Sequence, residues 1–233
     1  MFKNALIIFS LLIGLFVPKN ILSDSCPPHM VQVKDFCIDK YEAPNKMGEQ
    51  PFVFFSPNEA QEWCSKRQKT LCSTQQWEAA CLSTPKQNFY YSRKYSKEVC
   101  NTEANNPEVN RPLLYTVNNY KLDFTAKNFP RFLDIIWKAD PNLGAYIWKI
   151  YNALPSGGKE YCTNSTGTFD MLGNVSEWTV LERTKKIVSK GGFWGKGASC
   201  RQRAFYPHSR VRDYHTGFRC CSETIKDPFK YLE

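Results

Sequence analysis

A chain of 233 residues suffices for one large domain or two small ones, with length to spare for a buried core. It carries 31 Lys and Arg against 22 Asp and Glu, a net charge of +9, yet contains nothing that resembles a nucleic-acid-reading module. Its ten cysteines include no C-x-x-C pair, which argues against zinc-finger and thioredoxin-type chemistry.

Residues 1–23 read as a secretory signal. Lys3 is the positive end, Ala5 to Val17 is an apolar run of 13, and Pro18, Lys19 and Asn20 stop it before a small-residue cleavage site at Ile21 to Ser23. The run is short for a membrane span, and no later run is long enough for one. Cleavage after Ser23 removes Lys3 and Lys19 and lowers the net charge from +9 to +7. Lipid attachment at Cys26 is disfavoured because SDSC lacks the apolar residue expected three positions earlier. Export, whether secreted, periplasmic or to the cell envelope, turns ten cysteines into a disulfide framework. All ten follow the signal, and an even count permits complete pairing.

Cys26 to Asp39 predicts a short hairpin, VQV and FCID around Lys34-Asp35. Ser56-Pro57-Asn58-Glu59 starts a helix that runs to about Lys66 and buries Ala60, Trp63 and Cys64. Ser73 or Thr74 caps a second, with Trp77, Ala80 and Cys81 on its apolar face. From Ser83 to Thr168 the sequence is loop-like and bracketed by Cys100 and Cys162. Within it, Phe129 to Leu154 is rich in aromatic and aliphatic residues and accommodates one or two short helices split at Asp140-Pro141-Asn142. Its aromatics, Trp137 and Trp148 among them, read either as core or as exposed binding anchors.

FDMLGNVSEW, Phe169 to Trp178, sets Asp170, Gly173, Asn174 and Glu177 within eight residues. A hard cation such as Ca²⁺ takes six to eight oxygens, and a turn through Gly173 can aim carbonyls inward between the two carboxylates. The competing reading is a turn between strands, with Met171, Val175 and Trp178 in the core. Short strands follow at Trp178 to Val180 and Ile187 to Ser189, then a turn at Gly191-Gly192 and a final strand through GFRCC, Gly217 to Cys221. The domain is placed at 26–222 and a tail at 223–233, with no internal repeat. Basic residues thicken from Arg183 to Arg212, either a solvated face or an attraction for an anionic surface ligand.

Six blocks in order, FCIDKYEAPN, the capped helix ending in Trp63-Cys64, TLCSTQQWEAAC, FDMLGNVSEWT, KGGFW and GFRCC, resemble the formylglycine-generating enzyme or sulfatase-modifying-factor family over residues 26–222. The resemblance implies an α+β, C-type-lectin-like fold with two helices, a small twisted sheet and little other regular structure. It implies disulfides Cys64–Cys220 and Cys81–Cys200; beside them, Cys26–Cys37, Cys100–Cys162 and Cys72–Cys221 are assigned to the remaining cysteines. It implies structural Ca²⁺ on the side chains of Asp170 and Glu177 and the carbonyls of Gly173 and Val175. A second calcium loop of the family finds no match at Tyr161 to Thr168.

The family's founding activity is an oxygen-dependent oxidation of a protein cysteine, with Cu(I) held by two soft thiolates in a C-x4-C. The corresponding segment here, Phe193 to Arg203, holds one cysteine, Cys200, with Lys196 and Gly197 before it. The thiol pair, and with it copper, is read as absent. His29, His208 and His215 are the remaining imidazoles, and Asp213-Tyr214-His215 lacks a neighbouring nucleophile in sequence. Arg201, Arg203, Arg210 and Arg212 would line or flank the family's groove. Three functions stay open: an exported family member without formylglycine-generating activity, a divergent oxidoreductase acting on a protein or peptide thiol, and a calcium-stabilised binding or envelope module for a protein, peptide or anionic ligand.

Overall fold

The structure, a computed structural model, describes residues 26–82, 94, 96–104, 108–120, 128–197, 199–206 and 210–224. The expected signal, His208 and the residues after Thr224 lie outside the described residues.

The first hairpin pairs β1 (Met30–Val33) with β2 (Phe36–Asp39). α1 (Pro57–Ser65) starts where its punctuation predicts: Ser56 accepts from the Glu59 amide, Glu59 reaches back to the Ser56 amide, and Pro57 sets the first turn. After β3 (Thr70–Leu71), Ser73 and Gln76 make the same box on α2 (Thr74–Cys81). These two helices bury Ala60, Trp63 and Cys64, and Trp77, Ala80 and Cys81.

The loop-like stretch contains more helix than its period suggests. α3 (Arg111–Tyr115) runs into a 3₁₀ turn at Thr116–Asn119, and α4 (Phe129–Ala139) and α5 (Pro141–Ile150) form a hairpin. Asp140 ends α4 and caps α5, accepting from the amides of Asn142 and Leu143. A β-carbon on Gly144 would come within 2.8 Å of the Trp137 backbone, so the two helices cross at a glycine.

β4 (Ser176–Val180) and β5 (Ile187–Lys190) follow, then the small hairpin β6 (Gly192–Phe193) and β7 (Lys196–Gly197), β8 (Arg203–Phe205), β9 (Thr216–Phe218) and β10 (Cys220–Glu223). One sheet runs β1-β2-β10-β3, the other β8-β5-β4-β9, with β4 and β9 parallel. Glu223, expected in a tail, belongs to β10 instead: Ser222 and Glu223 pair with Cys37 and Phe36 and extend its ladder on β2.

All ten cysteines form disulfides: Cys26–Cys37, Cys64–Cys220, Cys72–Cys221, Cys81–Cys200 and Cys100–Cys162. Adjacent cysteines on β10 thus hold α1 and the segment after β3. Cys26, bonded to Cys37, has no sulfur left for a lipid thioether. No helix among the described residues is long and apolar enough to cross a membrane.

Candidate functional site

The loop from Phe169 to Val175 drops into the molecule and leads straight into β4. Asp170, Gly173 and Asn174 all have positive φ (57°, 77° and 52°), and a β-carbon on Gly173 would fall 2.1 Å from the Asn101 carbonyl. Glycine is required there by both space and backbone. Asn174 ties the loop to three neighbours. Its amide nitrogen donates to Glu42 Oε2 (2.9 Å) and Leu154 O (3.1 Å), and its Oδ1 accepts from the Leu154 amide (2.8 Å) and Asn101 Nδ2 (3.1 Å).

Three carboxylates meet in this interior. Glu42 accepts from Ser156 Oγ (2.9 Å), Asn174 Nδ2 (2.9 Å) and the Val175 amide (3.2 Å). Burial first, then the charges of Asp170 and Glu177, push its pKa well up. Asp170 accepts from the Gly157 amide (2.6 Å), and burial raises it to about 6. Glu177 is held at both oxygens: Arg219 Nη2 and Nε donate at 2.6 and 2.7 Å, and Trp77 Nε1 at 2.8 Å. The same guanidinium donates to the carbonyls of Phe169 (2.8 Å) and Asp39 (3.1 Å), so one buried cation fixes the loop entrance and both sheets.

The expected calcium set has to be judged on these donors. Glu177 is surrounded by N–H groups, and a divalent ion at its oxygens would displace or face the Arg219 guanidinium. Glu177 therefore does not fit as a cation ligand in this arrangement. Among the described residues no group of three or more Asp, Glu, His or Cys is arranged to hold a metal. Glu42 and Arg219 sat unassigned inside the FCIDKYEAPN and GFRCC blocks; Arg219 is the single charge in its block, whereas Glu42 follows Asp39 and Lys40 and nothing in sequence sets it apart.

The groove where the resemblance sets the copper thiols opens beside β6. It encloses about 220 Å³ and is lined by Ser176, Ser189, Lys190, Phe193, Tyr206 and His215 among others. Cys200 is not part of that lining; it is buried and bonded to Cys81 at the end of α2. Lys190 is turned inward to Glu78 (2.7 Å). His215 stacks on Phe193 at 4.1 Å, its Nδ1 lies 3.1 Å from Thr216 Oγ1, and its Nε2 lies 3.6 Å from Asp213 Oδ2. Burial lowers the His215 pKa while Asp213 pulls it up. Thr216 and Asp213 thus engage both ring nitrogens, and the hydroxyl beside the imidazole belongs to a buried threonine. His29 is an exposed turn residue at φ 63°. Of the four arginines, Arg201, Arg203 and Arg210 are exposed, whereas Arg212 forms a two-point pair with Glu59 (2.8 and 2.9 Å). Most aromatics of the α4–α5 hairpin are covered, but Trp137 and Trp148 stay 42% and 63% exposed.

Residues 43–224 match the sequence profile of the sulfatase-modifying factor enzyme 1-like domain. No curated protein sequence matches the chain. Among solved structures, Treponema denticola variable protein 1 aligns with a TM-score of 0.50 at 10% identity, covering 86% of this chain and 93% of that one. CarF aligns at 0.48 with 13% identity, covering 86% and 95%, and PvdO from Pseudomonas aeruginosa at 0.47 with 16% identity, covering 87% and 71%. At 10% identity, the likeness to the first of these speaks to the fold alone.

Proposed function

The chain belongs to the sulfatase-modifying factor enzyme 1-like family, and from that premise we propose that it is an exported member without copper-dependent formylglycine-generating activity, working as a disulfide-braced binding scaffold. One observation carries the reading: every sulfur of the ten cysteines is in a disulfide, and the sole cysteine between Phe193 and Arg203 is bonded to α2. A Cu(I) site of the family's kind needs two free thiolates, and disulfide sulfur is a poor substitute. Export is supported by the signal-like N-terminus and by a disulfide density suited to oxidising compartments.

The test uses the mature protein purified from an oxidising compartment. Thiol titration under denaturing conditions should find fewer than one reactive sulfhydryl per chain, Cu(I) should not bind stoichiometrically, and a C-x-P-x-R peptide should be recovered unchanged. Two titratable thiols together with peptide oxidation would reverse the reading and restore an oxidase.

The exposure of Trp137 and Trp148 favours binding as what remains, since indoles left to water on a structured hairpin offer contact area at small entropic cost.

A further inference from the structure

A second cavity, of about 590 Å³, lies between α3 on one side and Tyr206 and Arg210 to Tyr214 on the other. It shares Tyr206 with the groove beside β6 and no other lining residue. Its volume is in the range of small-molecule sites. Phe54 and Leu114 are buried apolar lining residues, and Phe54 holds φ 59°, a backbone state bulky residues avoid, fixed by its amide donating to the Asp213 carbonyl at 3.0 Å. Tyr115, Tyr206 and Tyr214 add aromatic surface, with Tyr115 55% exposed.

Most of the polar lining is already engaged. Arg212 is held by Glu59 and by Asn118 Oδ1 (3.0 Å), and Asn118 Nδ2 donates to the Tyr115 carbonyl (3.0 Å). Asp213 accepts from the Tyr214 amide (2.8 Å) and faces His215. Tyr206 bonds Ser189 and Thr216. Arg111, an exposed residue of the lining, makes no hydrogen bond or ion pair with any described residue, and its charge is felt at Tyr206, Tyr214 and His215. A sugar would bring hydroxyls to a lining that has few directed partners left. Three guanidiniums line the cavity, but Arg212 is paired with Glu59 and Arg210 has contacts of its own, so a polyphosphate would bring more charge than Arg111 beside Asp213 can match. A single carboxylate on an apolar body suits both the guanidinium fork and the aromatic walls.

We propose that this cavity binds the C-terminal residue of a peptide, its carboxylate on Arg111 and its apolar side chain against Phe54, Leu114 and Tyr115. The proposal is independent of the copper reading, and its test uses a different readout. The mature disulfide-bonded chain is titrated calorimetrically with Ala-Ala-Ala-Phe, the same peptide as its C-terminal amide, glucuronic acid and inorganic sulfate. The free acid should saturate at one site, and the amide should bind at least tenfold more weakly. Arg111→Gln should abolish the difference between acid and amide with an unchanged melting temperature, while Arg131→Gln, on the exposed side of α4, should bind as wild type. Absence of saturable binding, equal binding of acid and amide, or an Arg111→Gln variant that still separates them would overturn the proposal. Tighter binding of glucuronate would overturn it in favour of an acidic sugar, and tighter binding of sulfate would reduce the cavity to a simple anion site.

Discussion

Asp170 shows how a side chain chosen for one task can be held for another. A carboxylic acid of ordinary pKa 3.8 that burial raises to about 6 keeps its proton longer in the folded chain than in the unfolded one. Between those values the folded state binds more protons, so stability contributed by Asp170 falls as pH rises from about 4 to about 6 and does not return above that. Two pKa units correspond to about 3 kcal/mol at most. Asp170→Asn removes the ionisation while retaining an acceptor for the Gly157 amide, and it also relieves Glu42. Denaturant melts of the two proteins should therefore show a stability difference that changes by on the order of 2–3 kcal/mol between pH 4 and pH 7. Taking the difference cancels His215, whose depressed pKa gives the opposite slope; a pH-independent difference would mean Asp170 is already ionised at pH 4. The Glu177–Arg219 pair makes a separate prediction. Since a guanidinium occupies both oxygens of Glu177, a chelator should leave the melting temperature unchanged, whereas Arg219→Leu, which strands buried carboxylates, should cost about 3–5 kcal/mol or prevent folding. A fall of several degrees in chelator would return calcium to this loop.

At the scale of elements, capping and amphipathic spacing decide most of what forms. Ser56→Ala should destabilise α1 by about 1 kcal/mol in urea melts, because it leaves the Glu59 amide without its acceptor. The α4–α5 hairpin separates burial from exposure over two adjacent residues. Ile147 is fully buried and Trp148 is 63% exposed. Ile147→Ala should cost about 2–5 kcal/mol, and Trp148→Ala within about 0.5 kcal/mol. Comparable losses at both positions would mean that Trp148 is covered in solution. These helices were legible as an apolar stretch with a break at Asp140, while α3 was not, since five residues carry too little period to stand out.

For the whole molecule, the disulfides span very unequal loops. Cys64–Cys220 closes a separation of 156 residues and Cys26–Cys37 one of 11. The chain-entropy argument assigns about 5 kcal/mol to the first and about 3 kcal/mol to the second. Replacing each pair by serines and comparing unfolding midpoints should show the larger loss for Cys64–Cys220; the reverse order would point to native-state strain or residual structure in place of loop entropy. Residue order alone determined the two capped helices, the first hairpin and the glycine turn at Gly173, because caps, prolines and positive-φ glycines act within a few residues. The resemblance supplied the α+β fold and the partners of Cys64 and Cys81, and the other three pairings were assigned to the cysteines left over. Only tertiary structure decided that Glu177 faces Arg219 across 42 residues, that Glu42 joins Asp170, and that α3 closes a cavity against Tyr206 and Arg210 to Tyr214. Those contacts depend on which buried charges the packed sheets bring together, and a charge in sequence carries no mark of its distant partner.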